Sequence, residues 1–323
     1  MGWRRFVPSS KSAIAIRMTR RTALSLAVAG LALTSCARTT VNGVTVPRTT
    51  AGPTTTVPPT TTTTTEQPGW VPTTMVNGAI AIDSRAVTGP DGHVVTVFRF
   101  RAGQTRLALH AGSADPPIPP GSVGPDDGAA IGPSEAPALI AAFNGGFKAS
   151  AGAGGFELDS QTIIPLQTGI ASLVIDANGT ARVGVWGDGV PAAGEQVSSV
   201  RQNLAPLVID GQPSPTIGDL AAWGSTLGGV AAVARSSLGE DASGDMLYAA
   251  GMDTVPVDLA DALISTGAVT AMELDINPEW VQLDVSPTPG GSPVAGIPGQ
   301  SRPSDQYQLG WTRDFVTVLA SHP

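Results

Sequence analysis

Apolar residues fall in short runs or in alternation with polar ones along most of this chain, and Gly and Pro interrupt them every few positions. Runs of about four to eight residues bounded by turn formers mark strands rather than helices. The pattern predicts strands over residues 79–82, 94–100, 106–110, 138–143, 171–175, 181–186, 204–209, 230–234, 246–250, 269–276 and 315–320. Asp176-Ala177-Asn178-Gly179 separates two of them. Asn-Gly takes the positive φ angles of a tight hairpin, so 171–175 and 181–186 are expected to pair. One stretch, 259–266, has helical character. Pro256 precedes it, Asp258 is placed to accept its free N–H groups, and Gly267 can end it in a left-handed conformation. Ser134 is placed to cap a shorter helix entering the 138–143 strand. Many strands with few helices predict an α+β class: a single domain, residues 69–323, on a mixed, strand-rich sheet.

Ahead of that domain the pattern differs. Arg4, Arg5, Lys11, Arg17, Arg20 and Arg21 precede an apolar run over 23–33, which ends at Thr34-Ser35-Cys36. A basic segment, a short apolar core and small residues before a processing point make a secretory signal, here residues 1–35. The run is shorter than the roughly 20 apolar residues that span a bilayer. Leu33-Thr34-Ser35-Cys36 resembles a bacterial lipobox, which makes Cys36 the lipidation site and the membrane a partner through that anchor. Residues 19–24 also resemble a twin-arginine export signal, and Met18 to Cys36 is by itself a complete lipoprotein signal. Residues 36–68 reduce almost to Thr, Pro, Val and Gly, with an unbroken Thr run over 60–65. Such a linker has too little apolar surface to offset its entropy and is kept extended by Pro. The expected location is therefore outside the cell, lipid-anchored to the outer face of the membrane.

Charge and cysteine narrow the chemistry. Six of the 18 Lys and Arg residues and none of the 26 Asp and Glu residues precede Cys36, so the part after it carries a net charge of −14. An acidic surface without a basic patch repels phosphate backbones, and nucleic acid is excluded as a partner. Cys36 is the sole cysteine, so no disulfide or thiolate chemistry is available, and the domain is held by its core. His93, His110 and His322 are the only histidines and lie far apart in sequence, against a histidine zinc site. No cofactor is expected; acidic loops such as Asp126-Asp127 leave room for a hard cation such as calcium. Serine-hydrolase elbows, zinc-protease helices and phosphate loops are all absent.

Three segments carry candidate chemistry. Residues 141–147 end an apolar strand in Asn144-Gly145-Gly146, where missing Cβ atoms let the backbone approach a ligand or simply form a turn. Arg235 follows an apolar run and needs a partner if buried; its planar fork suits phosphate or carboxylate. In 269–276, alternation sets Met272, Leu274 and Ile276 on one face and Glu273, Asp275 and Asn277 on the other. Two carboxylates so placed lie roughly 6–7 Å apart, within the range of glycosidase acid–base pairs. The plainer alternative is an acidic outer face on a half-exposed strand.

Together these segments resemble the phosphodiester glycosidase family, in order and over most of the domain. Asn144-Gly145-Gly146-Phe147 matches the family's Asn-Gly-Gly-Phe strand end, and Pro206 to Gly211 its apolar strand with a Gly turn. Arg235-Ser236-Ser237-Leu238-Gly239 is similar to its Arg-Thr-Ala-hydrophobic-Gly segment. Gly267-Ala268, Ala271 and Leu274-Asp275 match the strand before its Leu-Asp-Gly-Gly motif, and Arg313 falls where it carries an arginine before the last strand. After Asp275 the family has consecutive glycines, whereas this chain has Ile276-Asn277-Pro278-Glu279-Trp280, and Glu273 replaces a neutral residue. The resemblance implies hydrolysis of a sugar-1-phosphodiester or related envelope glycan. Arg235 would hold the phosphate, while Asn144, Gly145 and Gly146 fix the sugar. Asp275 would be nucleophile or base, and Glu273 its paired acid. The altered turn favours a rival: an inactive family member that binds envelope glycan, or a protein through Trp280 and the loop 287–298. A solute-binding lipoprotein would need more helices than the pattern offers.

Overall fold

The computed structural model describes residues 69–119 and 128–322. The signal, Cys36, the linker and Asp126-Asp127 lie outside them.

The described chain is rich in strands and poor in helices, as the pattern predicts, but the strands divide among three sheets. The largest has eight, in the order Val71–Val76, Ala79–Thr88, Val94–Phe100, Met246–Thr254, Val233–Asp241, Ala268–Ile276, Pro206–Ile209 and Gln212–Pro213. A six-stranded sheet runs Gly189–Val190, Ala181–Trp186, Ala171–Ile175, Ser199–Gln202, Phe156–Leu158 and Gln161–Ile164. A five-stranded sheet runs Val294–Ala295, Leu283–Val285, Leu139–Asn144, Phe315–Ala320 and Thr105–His110. The mixed character is slight: among these strands only Gly189–Val190 pairs in parallel, with Ala181–Trp186.

Alternation explains how the sheets stack. Phe98, Phe100, Tyr248, Leu238, Met272 and Leu274 project from one face of the eight-stranded sheet. They join Ile140, Phe143 and Val316 of the five-stranded sheet and Leu173, Phe156 and Val183 of the six-stranded one in a single core. The intervening residues Val95, Val97, Leu247, Ala249 and Ala271 project from the opposite face and pack under the helix Pro256–Ser265, through Leu259, Ala260 and Leu263. The first strand begins beside Trp70, which is buried beneath the Arg99 guanidinium 4.0 Å from its ring centre.

Some local signals place their elements and others do not. The 171–175 and 181–186 hairpin forms, with Gly179 at φ +85° and Asp176 Oδ1 accepting the N–H groups of Asn178 and Thr180. The helix starts at Pro256, so Asp258 takes the Val255 N–H at 3.0 Å from inside the first turn rather than from ahead of it. Ser134 caps nothing: the short 3-10 turn Ala136–Ala138 begins after Glu135 and has no side-chain cap. The expected 230–234 strand is displaced to Val233–Asp241, which leaves Val230 and Ala231 exposed and places Arg235 inside the strand.

Candidate active site

Asp275 lies near the end of Ala268–Ile276, where that strand departs from regular pairing. Arg235 faces Ile276 and Ser237 faces Glu273, so three residue steps on this strand match two on Val233–Asp241. The extra residue makes a bulge at Leu274-Asp275, a device that re-aims side chains beside functional sites. The Asp275 N–H turns to the Gly145 carbonyl, and its own carbonyl accepts the Ser236 hydroxyl at 2.8 Å. Asn203 holds the bulge from behind. Its amide donates to the carbonyls of Glu273 (2.8 Å) and Leu274 (3.3 Å), while its Oδ1 accepts the Phe147 N–H.

So aimed, Asp275 lines an open cleft of about 550 Å³ together with Phe147, Lys148, Ile276, Asn277, Trp280 and Arg313. Its Oδ2 meets the Arg313 guanidinium at 2.7 Å, and its Oδ1 accepts the Ile276 N–H at 2.9 Å. Burial pushes the Asp275 carboxyl up to about 7; Arg313 and the Ile276 N–H pull the other way without cancelling it. Arg313 also donates to the Gly146 carbonyl at 2.8 Å and lies over the Trp280 ring. Lys148 lies over the same ring, 5.2 Å from its centre, and is exposed. A titratable carboxyl, two cations and an aromatic face thus share one wall of the cleft.

The structure does not put the predicted pair in one opening. Glu273 is wholly buried and salt-bridged to Arg235 at 2.7 Å, while Asp275 belongs to Arg313. The bulge between them undoes the two-residue alternation that would have set them side by side. For the same reason Ile276 leaves the face of Met272 and Leu274 and lines the cleft. Burial raises the Glu273 carboxyl above its ordinary range against the pull of Arg235. Arg235 is likewise wholly buried, and its Nη1 also donates to the Trp223 carbonyl.

Asn144, Gly145 and Gly146 are committed to the protein rather than offered to a ligand. The Asn144 amide donates to Gly145 O and Ser236 Oγ, and its Oδ1 accepts from Tyr248 and the Gln282 N–H. The Gly145 and Gly146 N–H groups go to Asp314, the first to its carbonyl and the second to its carboxylate. The close approach that needs glycine is therefore that of Asp314: a Cβ on Gly145 would fall far inside contact distance of its carboxylate. Arg201 completes this knot, with Nε 2.7 Å from the same Asp314 oxygen and Nη2 donating to the Phe147 carbonyl. Sequence reading missed Arg201, Asn203, Asp314 and Lys148. Only Asp314 carried a signal, through its adjacency to Arg313.

Asn277 adopts φ +76°, a conformation that favours glycine, and its Oδ1 accepts the Leu227 N–H at 2.8 Å. Among the described residues, no group of three or more His, Cys, Asp and Glu side chains is arranged to hold a metal ion.

No family model and no curated protein matches the chain. Solved structures do. The catalytic domain of zebrafish N-acetylglucosamine-1-phosphodiester alpha-N-acetylglucosaminidase, auto-inhibited by its pro-peptide, is 12% identical over 78% of this chain and 87% of its own, with a TM-score of 0.46. A hypothetical protein from Synechocystis is 12% identical over 76% of this chain and 63% of its own, with a TM-score of 0.44. These likenesses amount to a distant relationship of fold.

Proposed function

We propose that the chain is a cell-envelope lipoprotein that hydrolyses a sugar-1-phosphodiester or related glycan bond, held on the outer face of the membrane by lipid on Cys36. The observation that carries this reading is Asp275: a carboxyl titrating near 7, aimed by a bulge into an open cleft and flanked by Arg313, Lys148 and Trp280. A group half protonated at neutrality serves as proton donor or acceptor. Arg313 and Lys148, which lie over the Trp280 ring, draw an anionic substrate toward the cleft. Glu273 acts through Arg235, behind the cleft wall, rather than on the bond itself. The segment order that resembles the phosphodiester glycosidases supports the same substrate class.

The test is release of reducing sugar from a panel of sugar-1-phosphodiesters and extracted envelope glycan. Asp275→Asn is expected to lower the rate by about 10³-fold, as for loss of an acid–base group. Full activity in a folded Asp275→Asn protein would remove the mechanism.

One observation favours a second reading, a glycan-binding protein without turnover. The Gly145 and Gly146 N–H groups are already bonded to Asp314, which leaves no backbone donors free there to stabilise developing charge. Saturable glycan binding without sugar release would establish it.

A further inference from the structure

Residues 220–234 carry no charged side chain, yet part of this stretch faces solvent. Leu227 is 60% exposed, Val230 55% and Leu220 39%. The stretch also holds Gly224, Gly228 and Gly229, at φ +90°, +77° and +70°. It borders a second cleft, of about 320 Å³, lined by Leu220, Ala221, Thr226, Val230, Ala231 and Arg235 among others. Ala221, Gly224 and Ser225 line this cleft and the Asp275 cleft alike, so the two adjoin.

Arg235 makes this cleft more than an apolar dent. Its Nη1 is bonded to Glu273 and to the Trp223 carbonyl, but Nε and Nη2 have no hydrogen-bond partner although the side chain is wholly buried. Buried guanidinium donors are almost always paired; here two are not, and the Glu273 Oε2 is unpaired as well, so Nε and Nη2 are left open to a further acceptor. Phosphate oxygens match the planar fork. The three glycines give the covering segment the backbone freedom to part and admit them.

An anion seat and an apolar rim in one cleft select an amphiphile. A neutral apolar partner would leave the guanidinium unmatched, and a free anion would leave Leu220, Leu227 and Val230 uncovered. We infer that this second cleft holds the phosphate and hydrocarbon chain of a lipid phosphate, so that the preferred substrates are lipid-linked sugars. The sugar lies toward Asp275, the phosphate toward Arg235, and the chain across Leu220, Leu227 and Val230. The lipid's role as substrate and the sugar's position rest on the glycosidase reading; the binding of a lipid phosphate does not.

Calorimetric titration of the full chain carrying Cys36→Ser, which removes the lipid attachment point, tests this directly. The probes are dodecyl phosphate, inorganic phosphate and dodecyl maltoside, each kept below micelle formation. Dodecyl phosphate is expected to bind at least about ten-fold more tightly than either of the others, about 1.4 kcal/mol. The double variant Leu227→Ser/Val230→Ser, altered only at exposed positions, is expected to lose that advantage while its affinity for inorganic phosphate holds. Equal binding of dodecyl and inorganic phosphate overturns the inference, as does equal binding of dodecyl maltoside or an unchanged double variant. Binding is read without turnover. A protein that binds dodecyl phosphate but releases no sugar therefore contradicts the hydrolase and leaves this inference standing; a hydrolase that binds no dodecyl phosphate does the reverse.

Discussion

At Asp275 burial opposes the Arg313 ion pair and the Ile276 N–H, and burial prevails. The same balance holds at Asp284, buried between the amides of Gln282 and Gln300, where burial also raises the carboxyl to about 7. A carboxyl whose folded pKa exceeds its unfolded value, near ~3.9 for Asp, favours the folded chain fully below that unfolded value. The contribution is lost as pH rises through about 7. Urea midpoints should therefore fall between pH 4 and pH 8, and Asp284→Asn should flatten that slope; an equal slope in the variant would mean Asp284 is ionised throughout. Gly145 gives a different prediction. With Asp314 pinned by Arg201, a methyl group has nowhere to go, and Gly145→Ala should cost about 3 kcal/mol in denaturant unfolding. Little of this was visible in sequence. Asn144, Gly145 and Gly146 stood out as residue types, but whether their donors met a ligand or Asp314 depends on a residue some 170 positions away.

Strands were legible where a short apolar or alternating run meets turn-forming residues. Val94–Phe100, Ala171–Ile175, Ala181–Trp186 and Phe315–Ala320 end where the pattern ends. Ser199–Gln202 and Val233–Asp241 were missed or displaced because central strands here bury Arg201, Gln202, Arg235, Ser236 and Ser237, whose polar groups bond mainly to residues distant in sequence, Arg235 Nε and Nη2 excepted. No local rule reports that. The bulge at Leu274-Asp275 was equally hidden, since the residues there alternate perfectly in sequence and the extra step appears only in register. Its far end turns on Asn277, held at φ +76° where the resembled family has glycine. Asn277→Ala should cost about 1–2 kcal/mol, from left-handed strain and loss of the Leu227 bond, with Asn277→Gly milder. Chemical denaturation of the two variants distinguishes the contributions; an Ala variant as stable as the Gly one would mean the φ angle relaxes freely.

For the molecule as a whole, charge is distributed against its own average. Lys148 is the only lysine after residue 36, in a region of net charge −14, and it lies at the mouth of the candidate cleft beside Arg313. An anionic substrate would be repelled by the acidic surface at large and drawn toward Lys148 and Arg313. Added salt screens such attraction over about 8–10 Å, so KM for a phosphodiester should rise with ionic strength, and Lys148→Gln should weaken that dependence with little change in kcat. A salt-insensitive KM in the unsubstituted protein would mean that Lys148 does not steer the substrate. Fold class and the absence of helical lobes were readable from the pattern, because strand periodicity is local. The division into three sheets was not, because it depends on which strands share a core.

The burial of Trp70 bears on how the protein carries a load. If the proposed lipid on Cys36 tethers the chain, drag along the backbone enters the described residues beside Trp70. The first strand, Val71–Val76, lies at the edge of its sheet and pairs only with Ala79–Thr88. Pulled from its free end, such a strand unzips one hydrogen bond at a time, the weakest geometry a sheet can present. Trp70, wedged beneath Arg99 at the head of that strand, takes the force first. It works as a cleat ahead of the zipper, so that under the proposed anchor resistance to peeling would begin at one indole ring.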